Sequence, residues 1–133
     1  MSDSTMPIAV IGTGTVGSIL AAHLLEAGYD DLILVDVPER IAQIRERGLR
    51  ISGLVELEGR PEHLVSDLAD LKGRGVRTAI IAAKVTHLPR ICVELEKVHE
   101  PGMMVVSFQN GIGTENYLGK RIDPESAIPG IVN

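Results

Sequence analysis

The sequence predicts an α/β fold in which a mainly parallel sheet carries helices on both faces. Three observations predict it. Short unbroken apolar runs recur along the chain, at 8–11, 32–35 and 78–83. Such runs suit strands buried on both faces, as in parallel sheets. Stretches with helical apolar spacing alternate with them, which is the order of a sheet wrapped by helices. The first run also leads directly into a glycine-rich loop, Gly12-Thr13-Gly14-Thr15-Val16-Gly17.

The elements follow in order. Ile8-Ala9-Val10-Ile11 reads as a buried strand ending in glycine. From Val16, apolar residues recur at Ile19, Leu20 and Leu24, and Gly28 suits a helix C-terminus. Leu32-Ile33-Leu34-Val35 is a second buried strand. Pro38 stands where a helix would begin, Ile41 and Ile44 form its apolar stripe, and Gly48 stops it. Residues 49–57 alternate apolar and polar, the pattern of a half-buried strand or hairpin arm, and Gly59-Arg60-Pro61 breaks it. Residues 64–75 carry no clear periodicity. A third buried strand is predicted over 78–83. A helix opens near Pro89, with Leu88, Ile91, Cys92 and Leu95 on one face. A further strand is predicted over 103–108, a short helix over 112–118 and another strand from 127 to 132.

At 133 residues, the chain has the length of one domain. Residues 1–6 are expected to be a disordered tail and 7–133 a single dinucleotide-binding domain. Thirteen basic against eighteen acidic residues give a net charge of −5. That balance, without a Lys/Arg cluster in the sequence, disfavours nucleic-acid and anionic-membrane partners. Aromatics are limited to Tyr29, Tyr117 and Phe108, so base-stacking platforms are not expected. The lone Cys92 excludes an internal disulfide, and it falls on an apolar helical face as a core residue. The four histidines lack metal-ligand spacing, and no metal site is expected. No apolar run approaches the ~20 residues of a membrane span. A soluble cytoplasmic domain is the expectation.

The glycine loop carries the chemistry. The G-x-G-x-x-G pattern follows a strand and opens a helix, which is the context a dinucleotide site requires. Gly12 permits the tight turn, Gly14 lets the backbone approach a pyrophosphate, and Gly17 lets the helix pack on the strand. The helix N-terminus offers free N–H groups to the phosphates. The alternative is a glycine-rich turn without a ligand. Asp36, nineteen residues after Gly17, can accept hydrogen bonds from the ribose hydroxyls and would repel a 2′-phosphate, favouring NAD over NADP. Capping of the next helix is its alternative role. Arg40, one turn into that helix, can reach a phosphate and leaves NADP open.

The chain from about residue 7 to 132 resembles the N-terminal domain of the ketopantoate reductase (2-dehydropantoate 2-reductase) family. The residues that carry the resemblance are the 8–17 run, Ala21-Ala22-His23-Leu24 with Glu26-Ala27-Gly28, and Arg40-Ile41 with the 44–51 segment. The most specific are Ala82-Ala83-Lys84 and Gln109-Asn110-Gly111. The resemblance implies a Rossmann-like fold and an oxidoreductase of pantothenate biosynthesis that passes a hydride from NAD(P)H to the ketone of a small 2-oxo acid. It implies that Lys84 and Asn110 lie at the cofactor and active-site cleft. A solvated strand-end lysine and an Asn-Gly turn are the alternatives there. Two departures stand out. Asp36-Val37-Pro38-Glu39 occupies the place where many members carry an arginine for the 2′-phosphate. The family's helical substrate domain, which bears the general-acid lysine, is expected to be missing, so this chain alone is expected to be inactive. A homodimer is left open by the aliphatic face such a division would bare. A non-catalytic NAD-binding sensing module and the first domain of another hydroxy-acid or sugar dehydrogenase are the competing readings.

Overall fold

The computed structural model describes residues 7–29, 31–52, 56–83, 87–100, 102–108 and 127–130. The elements are β1 (Ile8–Ile11), α1 (Thr15–Glu26), β2 (Leu32–Val35), α2 (Pro38–Arg47), β3 (Leu49–Ile51) and β4 (Leu57–Gly59). There follow β5 (His63–Val65), a 3₁₀ turn (Leu68–Leu71), β6 (Thr78–Ile81), α3 (Leu88–Val98), β7 (Met104–Phe108) and β8 (Ala127–Gly130).

Six strands form one sheet in the order β5-β2-β1-β6-β7-β8, and every pairing in it is parallel. Numbered by the sheet alone, this is the order 3-2-1-4-5-6 of a doubly wound dinucleotide-binding fold. The expected α/β, Rossmann-like architecture is therefore observed.

Pleating divides the strand residues between two cores. Ala9, Ile11, Ile33, Val35, Ala79 and Ile81 face the side covered by α3 and the 3₁₀ turn. Ile91, Cys92 and Leu95 of α3 complete that core, and Cys92 is fully buried as expected. Val10, Leu32 and Leu34 face the other side, against Ala21 of α1 and Ile44 of α2. Helices thus lie on both faces.

The helix ends follow their sequence signals. Gly28, at φ +92°, sits one residue past the C-cap Ala27 of α1. Its N–H bonds to Leu25 O and that of Tyr29 to Leu24 O, both at 3.0 Å, which is a Schellman closure. Gly48, at φ +75°, caps α2.

Four boundaries differ from expectation. β6 ends at Ile81 rather than 83; Ala82 N–H still bonds to Ile11 O, and Ala83 then passes close against Gly12. β7 begins at Met104. The alternating 49–57 stretch is β3 and the start of β4, an antiparallel pair outside the main sheet. Gly59 is the last residue of β4, so of the Gly59-Arg60-Pro61 break only Arg60 and Pro61 lie outside the strand; Gly59 pairs with Leu49, and a Cβ there would meet Leu25 of α1 at 2.9 Å. The unreadable 64–75 stretch supplies β5 and the 3₁₀ turn. Three residues are too few to show a period, and the ladder His63–Val65 on Ile33–Val35 decides the strand. The expected helix over 112–118, residues 131–133 and the tail 1–6 lie outside the described residues.

Candidate functional site

The strand order reverses between β1 and β6, and ligands of open α/β sheets bind in the crevice outside the strand C-termini at such a point. The glycine loop stands there. Gly12 adopts φ +100°, a backbone region that side chains rarely enter. A Cβ on Gly12 would also meet the Ala83 backbone N at 2.8 Å. A Cβ on Gly17 would collide with the Gly12 carbonyl oxygen. Gly14 is the opposite case, because a Cβ there would have nothing within 4 Å. Two glycines therefore close the turn against the sheet, and the middle one faces open space at the start of α1.

Thr13, almost fully buried, ties this loop to the end of β2. Its backbone N–H donates to Asp36 Oδ2 at 2.8 Å, and its hydroxyl donates to the same oxygen. Asp36 Oδ1 accepts from Val37 N–H at 2.7 Å, at the entry to α2. Arg40 reaches back over the loop, with Nε donating to Thr13 Oγ1 at 3.0 Å and Nη2 to the Thr13 carbonyl at 3.1 Å. That carbonyl also accepts from the buried Ser18 hydroxyl at 2.7 Å.

A cleft of about 420 Å³ opens beside the loop. Gly12, Asp36 and Val37 line it together with Ser66, Leu68, Ala83, His87, Arg90 and Ile91. The structure thus brings Gly12 and Asp36 to one cavity, with Thr13 bonded between them. Gly14, Thr15, Val16 and Gly17 form the adjoining turn into α1. Lys84 and Asn110 lie outside the described residues. Ser66, Leu68 and Arg90 were not anticipated. The only local signal for the first two was Asp67, whose carboxylate caps the 3₁₀ turn by accepting from Ala69 N–H at 3.0 Å. Among the described residues, no cluster of His, Cys, Asp or Glu could hold a metal ion, and no helix is long and apolar enough to cross a membrane.

Comparison with known proteins gives the family. The sequence profile described as "Ketopantoate reductase PanE/ApbA" matches residues 8–133. The chain belongs to the ketopantoate reductase family. The 2-dehydropantoate 2-reductase of Pyrococcus abyssi is 28% identical over 117 residues, which cover 84% of this chain and 35% of that protein. Among solved structures, D-mandelate dehydrogenase in a ternary complex with NADH and anilino(oxo)acetate superposes with a TM-score of 0.82 at 26% identity. It covers 95% of this chain, and the match spans 40% of the dehydrogenase. The 2-dehydropantoate 2-reductase from Methylococcus capsulatus gives a TM-score of 0.78 at 25% identity, with the same two coverages of 95% and 40%. The chain thus spans little more than a third of these relatives, and the ketopantoate reductase match runs from the first strand through the whole described sheet.

Proposed function

We propose that this chain binds a nicotinamide dinucleotide in the cleft at the ends of β1, β2 and β6. The observation that carries the reading is the glycine loop itself. Gly12 and Gly17 have no room for a side chain, while Gly14 leaves the approach to the α1 N-terminus clear. In this reading the backbone of Gly12, Thr13, Gly14, Thr15, Val16 and Gly17 receives the pyrophosphate, and the positive end of the α1 dipole favours its charge.

Asp36 takes the adenosine ribose. Two Thr13 donors already fill Oδ2, and Oδ1 retains one free lone pair beside Val37, so one ribose hydroxyl is accommodated rather than two. The carboxylate still disfavours a 2′-phosphate, and NAD is the preferred cofactor. Arg40, bonded to the same threonine, supplies a guanidinium within reach of that phosphate and keeps NADP as a weaker ligand.

Bound nicotinamide supplies a hydride. Lys84 and Asn110 are proposed to line the reacting end, binding the substrate and holding its ketone in place. The reaction proposed for the whole protein is reduction of a small 2-oxo acid of the ketopantoate type, as a soluble enzyme of pantothenate biosynthesis in the cytoplasm. The Asp36-to-Thr13 bonding does not by itself separate this from a non-catalytic dinucleotide-binding module, and the family membership favours the reductase.

Titration with NADH tests the binding claim. Nicotinamide fluorescence should rise and the melting temperature should increase. No response at millimolar NADH would overturn it.

A further inference from the structure

A second cavity, of about 470 Å³, lies on the sheet face covered by α1 and α2 and shares no lining residue with the dinucleotide cleft. Its walls are Ser18, Gly48, Leu49 and four arginines: Arg40 and Arg47 of α2, Arg50 of β3 and Arg60 just after β4. In a chain of net charge −5, four of the thirteen basic residues converge on one hollow, and none of its lining residues is acidic.

Helix-end electrostatics explain only part of this. Arg60 donates to the Arg45 and Glu46 carbonyls at 3.4 and 3.2 Å, so it satisfies the C-terminus of α2. Arg50 meets Glu58 at 3.4 Å in a pair that is about three-quarters exposed and well screened. Arg40 bonds to neutral groups of Thr13 and Gln43. The Arg47 side chain makes no hydrogen bond or ion pair among the described residues. Glu58, and Asp36 one hydrogen bond beyond Arg40 through the Thr13 hydroxyl, thus stand against four guanidinium groups. Guanidinium forks match phosphate oxygens in bidentate geometry.

Donor count sets the ligand class. Four guanidinium forks, each taking two phosphate oxygens, outnumber the oxygens of one phosphate group, and two linked groups come closer to filling them. We propose that this cavity binds a small anion bearing two or more phosphoryl groups, at a site separate from the cleft that takes NADH. Because Arg40 also holds Thr13, an anion here acts on the same residue that fixes the glycine loop.

The test is calorimetric titration of the whole chain with sodium pyrophosphate at low ionic strength, with and without saturating NADH. Expected is one saturable site per chain that persists with NADH present, at least tenfold tighter for pyrophosphate than for orthophosphate. The double variant Arg47→Gln/Arg50→Gln should weaken it at least tenfold and leave the NADH response unchanged. Absence of saturable binding at millimolar pyrophosphate overturns the proposal. So does complete displacement by NADH, equal affinity for orthophosphate, or unchanged affinity in the double variant.

Discussion

Asp36 and Thr13, twenty-three residues apart in sequence, are joined by two hydrogen bonds to a single carboxylate oxygen. The end of β2 and the glycine loop after β1 are thereby one unit. A residue that sequence assigns to the ribose also shapes the pyrophosphate turn, and this dual role governs how its variants behave.

Thr13→Val keeps the shape of a nearly fully buried side chain but removes the hydroxyl shared by Asp36 and Arg40. Leaving such partners unsatisfied costs about 1–3 kcal/mol. Urea unfolding should show that loss, and Thr13→Ser, which keeps the hydroxyl, should recover most of it. Equal stability of the Val variant and the parent would show that the network is solvated instead.

Asp36→Ala should weaken NADH more than NADPH, because it removes a ribose acceptor and the charge that opposes a 2′-phosphate. Arg40→Gln should act in reverse and weaken NADPH about tenfold or more relative to NADH, the scale of one lost charge-assisted contact. Fluorescence titration with both cofactors reads the two ratios. An unmoved ratio in Asp36→Ala would remove Asp36 as a ribose ligand.

Gly14→Ala and Gly17→Ala should separate binding from folding. An added methyl at Gly14 meets nothing within 4 Å, so stability should change by less than about 1 kcal/mol while NADH affinity falls sharply. At Gly17 the methyl strikes the Gly12 carbonyl, and destabilisation of about 2 kcal/mol or more is expected. Thermal unfolding with NADH titration of each variant checks both. Normal NADH affinity in Gly14→Ala would move the pyrophosphate away from this loop.

Leu95→Ala opens a void in the α3-side core, where the leucine is fully buried. A loss of about 2–5 kcal/mol is expected. Urea unfolding measures it, and a change below 1 kcal/mol would show that α3 repacks over the sheet.

The fold was largely legible because its signals are local. Unbroken apolar runs marked β1, β2 and β6, and the helix stops at Gly28 and Gly48 were readable from residue type. The glycine loop was legible too, since each glycine answers a steric demand of a turn between one strand and one helix. β5 was not, because three residues with one buried position carry no period and gain their conformation from the ladder with β2.

The sequence by itself determined the alternation of elements, the glycine turn and the presence of a carboxylate at the end of β2. Only the tertiary structure decided what that carboxylate touches. Hydrogen bonds between Asp36, Thr13 and Arg40 span separations of 23 and 27 residues, and no local pattern encodes them. The gathering of Arg40, Arg47, Arg50 and Arg60 around one hollow was equally invisible. In the chain they are scattered among acids. The turn at Gly48 and the pairing of β3 with β4 bring them to one wall, because Coulomb interactions depend on distance in space and not along the sequence.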